Sequence, residues 1–221
     1  AWCKGQRIEA RSCVLASGGF ESNRDWLRQA WGVDASGSSP ADQFLIRGTR
    51  NNRGTILRML LDKDVQEVGD PTQCHAVAID ARAPKYDGGI ITRLDCVVFG
   101  IVVNKNAERF YDEGEDIWPK RYAIWGRLVA AQPDQIAYIV FDASVRHSFM
   151  PTLFPPIEGA DIAELATKLT LDPAALQKTI ADFNAAVQPG NFDHTILDDC
   201  RTDGLSPAKT RPRRSSGSRP T

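Results

Sequence analysis

The sequence predicts an α+β domain that is preceded by a short segment of α/β type. Apolar runs rich in Val and Ile at residues 97–104 and 137–142 have the density of buried strands. After residue 160 the pattern changes to helices, with an Asp-Pro start signal at Asp172. Before residue 73, one predicted strand is followed by two short predicted helices. These changes divide the chain into residues 1–72, 73–204 and 205–221.

The first part begins with a predicted strand over residues 7–16, which ends at the Ser-Gly-Gly turn of residues 17–19. Glycines at a strand end let the backbone approach a ligand closely, and ligands bind at strand ends of α/β sheets. A short helix follows, with Ser22 or Asn23 as its N-cap, and residues 55–61 are a second predicted helix. The phosphate-binding motif G-x-G-x-x-G is absent, so the turn taken alone indicates a tight bend more often than a nucleotide site.

Three further strands are expected, at residues 89–92, 97–104 and 137–142. A helix over residues 122–131 separates the last two of these strands. Residues 161–168 are another predicted helix. The middle of the chain therefore contains the predicted sheet, and helices follow it.

The strongest helix signal begins at Asp172, an N-cap residue that is followed by Pro173 at the first helical position. The Pro-Gly pair at residues 189–190 ends this helix. Its predicted inner face consists of Leu176, Ile180 and Phe183.

Composition and charge exclude several classes of protein. The 221 residues carry a formal net charge of −1, which provides no general attraction to nucleic acid or an anionic membrane. No run approaches the roughly 20 apolar residues that a membrane-spanning helix needs. The five cysteines are scattered and include no C-x-x-C pair, which argues against a zinc site and favours a reducing, cytoplasmic compartment. Residues 205–221 are rich in Pro, Arg and Ser, and we expect a disordered basic tail.

His75 is the first candidate for a functional side chain, although a lone histidine is more often structural. Cys74 and His75 are not expected to work as a nucleophile and its base, because adjacent residues of an extended segment point to opposite faces. Seven of the basic residues in the middle of the chain form a candidate set, and two or three of them are expected to converge on a carboxylate-rich ligand. They are Arg82, Lys85, Arg93, Lys120, Arg121, Arg127 and Arg146.

Five segments, taken in order, resemble flavoprotein subunits of the fumarate reductase/succinate dehydrogenase superfamily. Within that superfamily, residues 74–80 (CHAVAID), 111–115 (YDEGE) and 118–125 (WPKRYAIW) are most similar to FAD-dependent tricarballylate dehydrogenases. The five segments are residues 14–20 (VLASGGF), 73–75 (QCH), 101–110 (IVVNKNAERF), 137–142 (AYIVFD) and 171–184 (LDPAALQKTIADFN).

The resemblance implies a substrate-capping domain at residues 73–204 and an incomplete FAD-binding segment at residues 1–72. It implies FAD as cofactor, a small polycarboxylate as substrate, and an electron acceptor protein for the parent enzyme. The reaction would be oxidation of tricarballylate to cis-aconitate by hydride transfer to the flavin. Both ends of the family chain are absent from this sequence, so we expect a fragment with exposed apolar surface that tends to form a homo-oligomer.

The resemblance also implies roles for individual residues. Ser17, Gly18, Gly19, Asn52 and Gly54 match segments that contact FAD. 

His75 and Thr92 match ligands of substrate carboxylates, and Arg121 matches the arginine that transfers a proton, with Lys120 as the alternative because the register is uncertain. The family proton relay is replaced here by Arg93 and Cys96, and we expect Arg93 to bind a third substrate carboxylate. An arginine pKa exceeds about 12, so Arg121 is expected to stabilise charge rather than to act as a base.

Two alternatives remain from the sequence. The first is a related flavoprotein of cobalamin biosynthesis, whose capping region is similar. The second is a non-enzymatic cap domain that binds carboxylates or a partner chain without FAD.

Overall fold

The computed structural model describes residues 2–211, and within that range the chain combines helices with short strands. The α-helices are Arg24–Trp31 (α1), Thr55–Leu61 (α2), Trp118–Arg121 (α3), Trp125–Ala130 (α4), Ile162–Leu169 (α5) and Pro173–Ala186 (α6). The strands are Trp2–Cys3 (β1), Gln6–Arg7 (β2), Ile101–Asn104 (β3) and Ala137–Val140 (β4). The mixed helix and sheet content agrees with the prediction.

The centre of the fold is the antiparallel pair of β3 and β4, in which Ile101 lies opposite Val140. Successive side chains of a strand point to opposite faces. Ile101 and Val103 accordingly pack with Leu176 of α6 in one hydrophobic cluster. Val102 packs with Trp125 of α4 in a second cluster on the other face. Both faces of this two-stranded sheet are therefore covered.

The two C-terminal helices begin where the sequence predicts. The carboxylates of Asp161 and Asp172 accept hydrogen bonds from the backbone N–H groups of Glu164 and Ala175, at 2.8 and 2.7 Å. Helix α6 buries Leu176 completely and packs its predicted inner face against β3 and β4. The N-cap and inner-face predictions are confirmed.

Helices α1 and α2 are also confirmed. The N-cap of α1 is Asn23, whose side-chain oxygen accepts from the N–H of Trp26 at 3.2 Å. Helix α2 begins after Gly54, which has a φ of +74°. A Cβ at Gly54 would lie 2.5 Å from the Trp26 ring, so this position requires glycine for space as well as for backbone geometry.

Three strand predictions are wrong in whole or in part. Residues 8–16 form no strand, since no neighbouring strand within residues 2–211 provides a ladder for them, and Val14 is 91% exposed. Ile90–Thr92 and Val97–Phe99 are 3₁₀-helices, so the strand predicted at 97–104 is shortened to β3. β-branched residues favour strands, but a strand forms only where a partner strand is present.

The predicted helix over 122–131 is broken into a 3₁₀ turn at Tyr122–Ile124 and the helix α4. Residues 209–211 differ from the predicted disordered tail, because Arg211 is buried and forms an ion pair with Asp198. Residues 212–221 of that tail lie outside the described residues. The proposed boundary between residues 72 and 73 stays a prediction.

Candidate functional site

A single large cleft connects the two predicted site regions. Its volume is about 1920 Å³, and Gly19 and Phe20 line it together with His75, Trp125 and the strand β4. Small-molecule sites usually have about 300–1,000 Å³, so this cleft has room for more than one small ligand. Of the candidate FAD contacts Gly19 borders this space, and of the candidate substrate contacts His75 borders it.

The glycine turn, residues 17–19, contacts the second predicted FAD segment. Gly18 has a φ of +81°, and a Cβ there would lie 3.0 Å from Oδ1 of Asn52. The Asn52 side-chain amide donates to Glu21 Oε1 at 2.7 Å, and its backbone carbonyl accepts from the N–H of Ser22 at 2.9 Å. Two segments more than thirty residues apart are thus brought together, although Ser17 and Gly18 are exposed, and their predicted contact with FAD stays untested.

The groups at this turn fit part of a flavin nucleotide. A backbone without side chains at Gly18 and Gly19 allows close approach, and the Asn52 amide and Glu21 carboxylate can bond to hydroxyl groups or ring N–H groups. A carboxylate repels phosphate, so this site does not fit the pyrophosphate of FAD. The turn would therefore hold an uncharged part of the cofactor.

Five side chains form what we call the His75 cluster: His75, Arg93, Asp95, Trp118 and Tyr122. The His75 and Tyr122 rings meet edge to face with centroids 5.0 Å apart, and the Arg93 guanidinium lies 4.9 Å from the Tyr122 centroid. Arg93 donates to Asp95 Oδ2 from Nε at 3.1 Å and from Nη2 at 2.8 Å. Trp118 Nε1 donates to Asp95 Oδ1 at 2.9 Å. The predicted ligands His75 and Arg93 are therefore held in one cluster.

Backbone hydrogen bonds explain how distant segments form this cluster. The extended segment at residues 75–80 lies between two others. On one side the N–H of Leu94 donates to the carbonyl of Ala78 at 2.9 Å. On the other side the N–H of Ala76 donates to the carbonyl of Ala123 at 3.0 Å. The N–H of Gly126 donates to the carbonyl of Ala76 at 2.8 Å. A Cβ at Gly126 would lie 2.8 Å from the Val77 carbonyl oxygen, so glycine permits this close contact.

Thr92 does not join the His75 cluster. Its side chain is 1% exposed, and its hydroxyl donates to the carbonyl of Gly89 at 2.9 Å. Its carbonyl accepts from the N–H of Asp80 at 2.9 Å. These bonds give Thr92 a structural role in the turn, and its predicted role as a substrate ligand stays untested.

Arg121 lies in a separate group with Glu115 and Tyr111. Arg121 Nη2 is 2.6 Å from Glu115 Oε1, and both side chains are about one-third exposed. The Tyr111 hydroxyl donates to the other oxygen of Glu115, and this hydrogen bond, followed by burial, raises the pKa of Tyr111. Arg121 Nε is buried without a hydrogen-bond partner. The guanidinium therefore keeps unused donor capacity.

The remaining basic residues do not converge on one ligand. Lys120 is 3.3 Å from Asp116, and its predicted role as the alternative to Arg121 stays untested. Three of the other predicted basic residues each bond to a separate acceptor. The pairs are Arg82 with Asp80, Arg146 with Glu158, and Arg127 with the Gln73 amide.

A buried ionic group was missed by the sequence analysis. Glu113 is 0% exposed in its side chain and accepts from Arg109 Nε at 2.9 Å and from the N–H of Val102 at 2.8 Å. Lys209 donates to the carbonyls of Val98 and Gly100 at 2.9 and 2.6 Å, and burial lowers its pKa to about 8. The resemblance in residues 101–110 was a signal for Arg109, but nothing local indicated Lys209.

Residues 2–211 hold neither a metal-ligand group nor a membrane-spanning helix. No three His, Cys, Asp or Glu side chains are grouped as metal ligands there. No helix in the same range has the length and apolar character needed to cross a bilayer.

The fold of this chain resembles that of a solved flavin-type dehydrogenase structure. The fold is similar to the crystal structure of 3-ketosteroid delta1-dehydrogenase from Sterolibacterium denitrificans in complex with 1,4-androstadiene-3,17-dione, with a TM-score of 0.54 and 20% sequence identity. The match covers 82% of this chain and 35% of that protein, so the chain spans about a third of its length. No family model matches the chain, and no curated protein matches it. At this identity the likeness establishes the fold alone.

Proposed function

We propose that this chain is part of a flavin-dependent oxidoreductase, with residues 73–204 as the cap over a small polycarboxylate. The observation that carries the proposal is that Gly19 of the glycine turn and His75 of the cluster line the same cleft. The fold likeness to a dehydrogenase supports the reaction class. The electron acceptor protein and the cytoplasmic location stay predictions from the sequence.

On the substrate side, His75 and Arg93 would bind carboxylates. His75 is exposed, and its ring is oriented by Tyr122, so a ring N–H can donate to a substrate oxygen. Arg93 uses Nε and Nη2 for Asp95, and Nη1 makes no hydrogen bond within residues 2–211. Nη1 can therefore donate to a third substrate carboxylate, although Asp95 neutralises part of the attraction.

Arg121 would stabilise charge that develops on the substrate. Because an arginine stays protonated, its donors can stabilise a carboxylate and the negative charge that forms when the neighbouring carbon gives its proton to solvent water, since Arg121 itself cannot accept it. Glu115 holds this guanidinium in place. FAD, when bound, would accept the hydride from the substrate carbon. We propose tricarballylate as the substrate and cis-aconitate as the product.

A second candidate substrate is an apolar ketone. The lining of the cleft includes many apolar side chains, among them Leu57, Leu60 and Ile139. The solved dehydrogenase with this fold was crystallised with a steroid. Apolar walls would desolvate such a ligand, whereas the His75 cluster favours an anion.

The test is a titration of the purified chain with FAD, followed by its visible spectrum with tricarballylate and with a 3-ketosteroid. We expect bound flavin that is bleached by tricarballylate. Bleaching by the steroid alone would overturn the polycarboxylate proposal, and a chain that binds no flavin would support the cap without FAD.

Gly18→Ala and Gly37→Ala form a matched pair for the cofactor site. Both glycines have a φ of +81°, so alanine strains the backbone equally at each. Only Gly18 has a neighbour, Asn52, within 4 Å of the added methyl group. We expect Gly18→Ala to weaken FAD binding at least tenfold, and Gly37→Ala to leave it unchanged.

A further inference from the structure

The amine of Lys209 borders the large cleft, and the proposed function does not use it. Its Nζ donates to the carbonyls of Val98 and Gly100 at 2.9 and 2.6 Å and lies 5.8 Å from the centre of the Phe183 ring. Lys209, Gly100 and Phe183 all line the cleft. The ammonium end of the side chain therefore lies at the cleft wall.

The hydrogen bonds of this amine leave one donor unused. An ammonium group has three N–H donors, and the two carbonyls accept from two of them. Among residues 2–211, no third acceptor bonds to Nζ and no carboxylate lies within 4.0 Å of it. Lys168 of α5 differs, because it donates to the Glu158 carbonyl at 2.7 Å and also pairs with Glu164 at 2.7 Å. Lys209 is thus a cation without a direct counter-charge in the described part of the chain, an arrangement that is costly away from water.

Neighbouring charges do not supply the missing partner. Burial lowers the pKa of Lys209 to about 8, and the carboxylates of Glu113 and Asp112 oppose this shift. The guanidinium groups of Arg109 and Arg211 lower the pKa further. Glu113 already accepts from Arg109, and Asp112 accepts from a backbone N–H and a hydroxyl group. Loss of water around the ammonium therefore has the largest influence on it.

We infer that Lys209 binds the carboxylate of a ligand in the cleft, and that the apolar body of this ligand lies against the aromatic residues beside the amine. A carboxylate oxygen would accept the third N–H and provide the counter-charge. A single cation with one free donor suits a monoanion better than a phosphate, which offers more acceptor oxygens and more charge. Aromatic walls are present because Phe99, Phe141 and Phe183 line the cleft, and Phe141 Cβ would lie 3.0 Å from a Cβ at Gly100.

This carboxylate position is separate from the His75 cluster. Lys209 is held by the carbonyls of Val98 and Gly100, and its own N–H donates to the Thr202 hydroxyl at 2.9 Å. His75 contacts Tyr122 instead, and none of the bonds to Lys209 comes from that cluster. The inference does not depend on flavin binding or on the proposed function.

The first experiment is a calorimetric titration of the full chain at pH 7 with phenylacetate and with phenylacetamide, an uncharged ligand of the same shape. We expect phenylacetate to bind at least about tenfold more tightly, because only the anion gains a charge-assisted hydrogen bond. Lys209→Met should remove this preference, whereas Lys168→Met, which deletes a paired ammonium, should keep it. No binding of phenylacetate, equal affinities in the unchanged chain, or an undiminished preference in Lys209→Met would overturn the inference.

A nuclear magnetic resonance titration of the Lys209 amine in the unchanged chain decides the question if Lys209→Met does not fold. A bound carboxylate favours the ammonium form, so phenylacetate should raise the pKa of Lys209 above its value of about 8. Phenylacetamide should leave that pKa unchanged. A Lys209 pKa that saturating phenylacetate does not raise would contradict a carboxylate at this amine.

Discussion

Residues 75–211 and residues 2–74 differ in where their apolar side chains lie. Both hydrophobic clusters are built from residues of the later region, on the two faces of the β3–β4 sheet. The earlier region buries Leu27, Ala41 and Ile46 among its apolar residues, and helix α2 has no buried residue. Leu57, Leu60 and Leu61 of that helix face the cleft instead.

The charged groups follow the same division. The Arg109–Glu113 pair is almost completely buried, while the Arg28–Asp42 pair of the earlier region is about one-third exposed on each side. Local signals, such as helix caps and glycine turns, are nevertheless equally well formed in both regions. The comparison teaches that helix caps and glycine turns form here without a hydrophobic core beneath them, whereas the stability of a helix comes mostly from packing against such a core.

The largest expected effect comes from the buried ion pair. Glu113→Ala leaves the Arg109 guanidinium and the N–H of Val102 without their acceptor, which should lower the free energy of unfolding by about 3–5 kcal/mol. Arg28→Ala should lower the free energy of unfolding much less, because water can solvate the exposed Asp42 carboxylate in place of Arg28. Urea denaturation measures both, and equal losses would remove the distinction between the regions.

A smaller effect is expected from pH, through Lys209. Burial lowers its pKa from 10.5 to about 8, so above pH 8 the unfolded chain holds more protons on this lysine than the folded chain. Stability should therefore rise with pH above 8, by at most about 1.4 kcal/mol per pH unit.

Cys96 opposes this trend at higher pH, because burial raises its pKa from 9.0 to about 12, and stability falls as the unfolded thiol ionises. The measurement is therefore the unfolding free energy between pH 7.5 and 9, for the unchanged chain and for Lys209→Met. Persistence of the rise in Lys209→Met would assign it to another group.

The smallest effects are expected at the helix caps, and they should be similar in the two regions. Asn23→Ala and Asp172→Ala each remove one side-chain acceptor of a helix N–H, at a cost of about 1 kcal/mol. Hydrogen exchange of amides in α1 and α6 reports each opening free energy separately. A cost confined to α6 would mean that caps depend on the core beneath them.

Sequence reasoning succeeded where the cause was local. The ends of α2 and α6, the Asn23 and Asp172 caps and the Leu176 face follow from neighbours within one or two helical turns. It failed for residues 8–16 and 97–99, whose apolar and β-branched composition suits a strand that has no partner here. A composition rich in β-branched residues favours a strand, but the strand forms only if the fold places a partner strand beside it.

The candidate site shows the same limit. His75 and Arg93 could be named from the resemblance, which also included residues 118–125. Asp95, which bonds to both Arg93 and Trp118, carried no local signal. Its role depends on contacts across 23 residues of chain, which no pattern of spacing encodes.

The boundaries of α2, the starts of α5 and α6 and their caps were contained in the amino-acid order, because hydrogen bonds between near neighbours and the 3.6-residue period determine them. Tertiary structure alone decided that the glycine turn meets Asn52 and that Lys209 is buried. These features arise when segments far apart in sequence compete for the same partners, and that competition is resolved only when the whole chain packs.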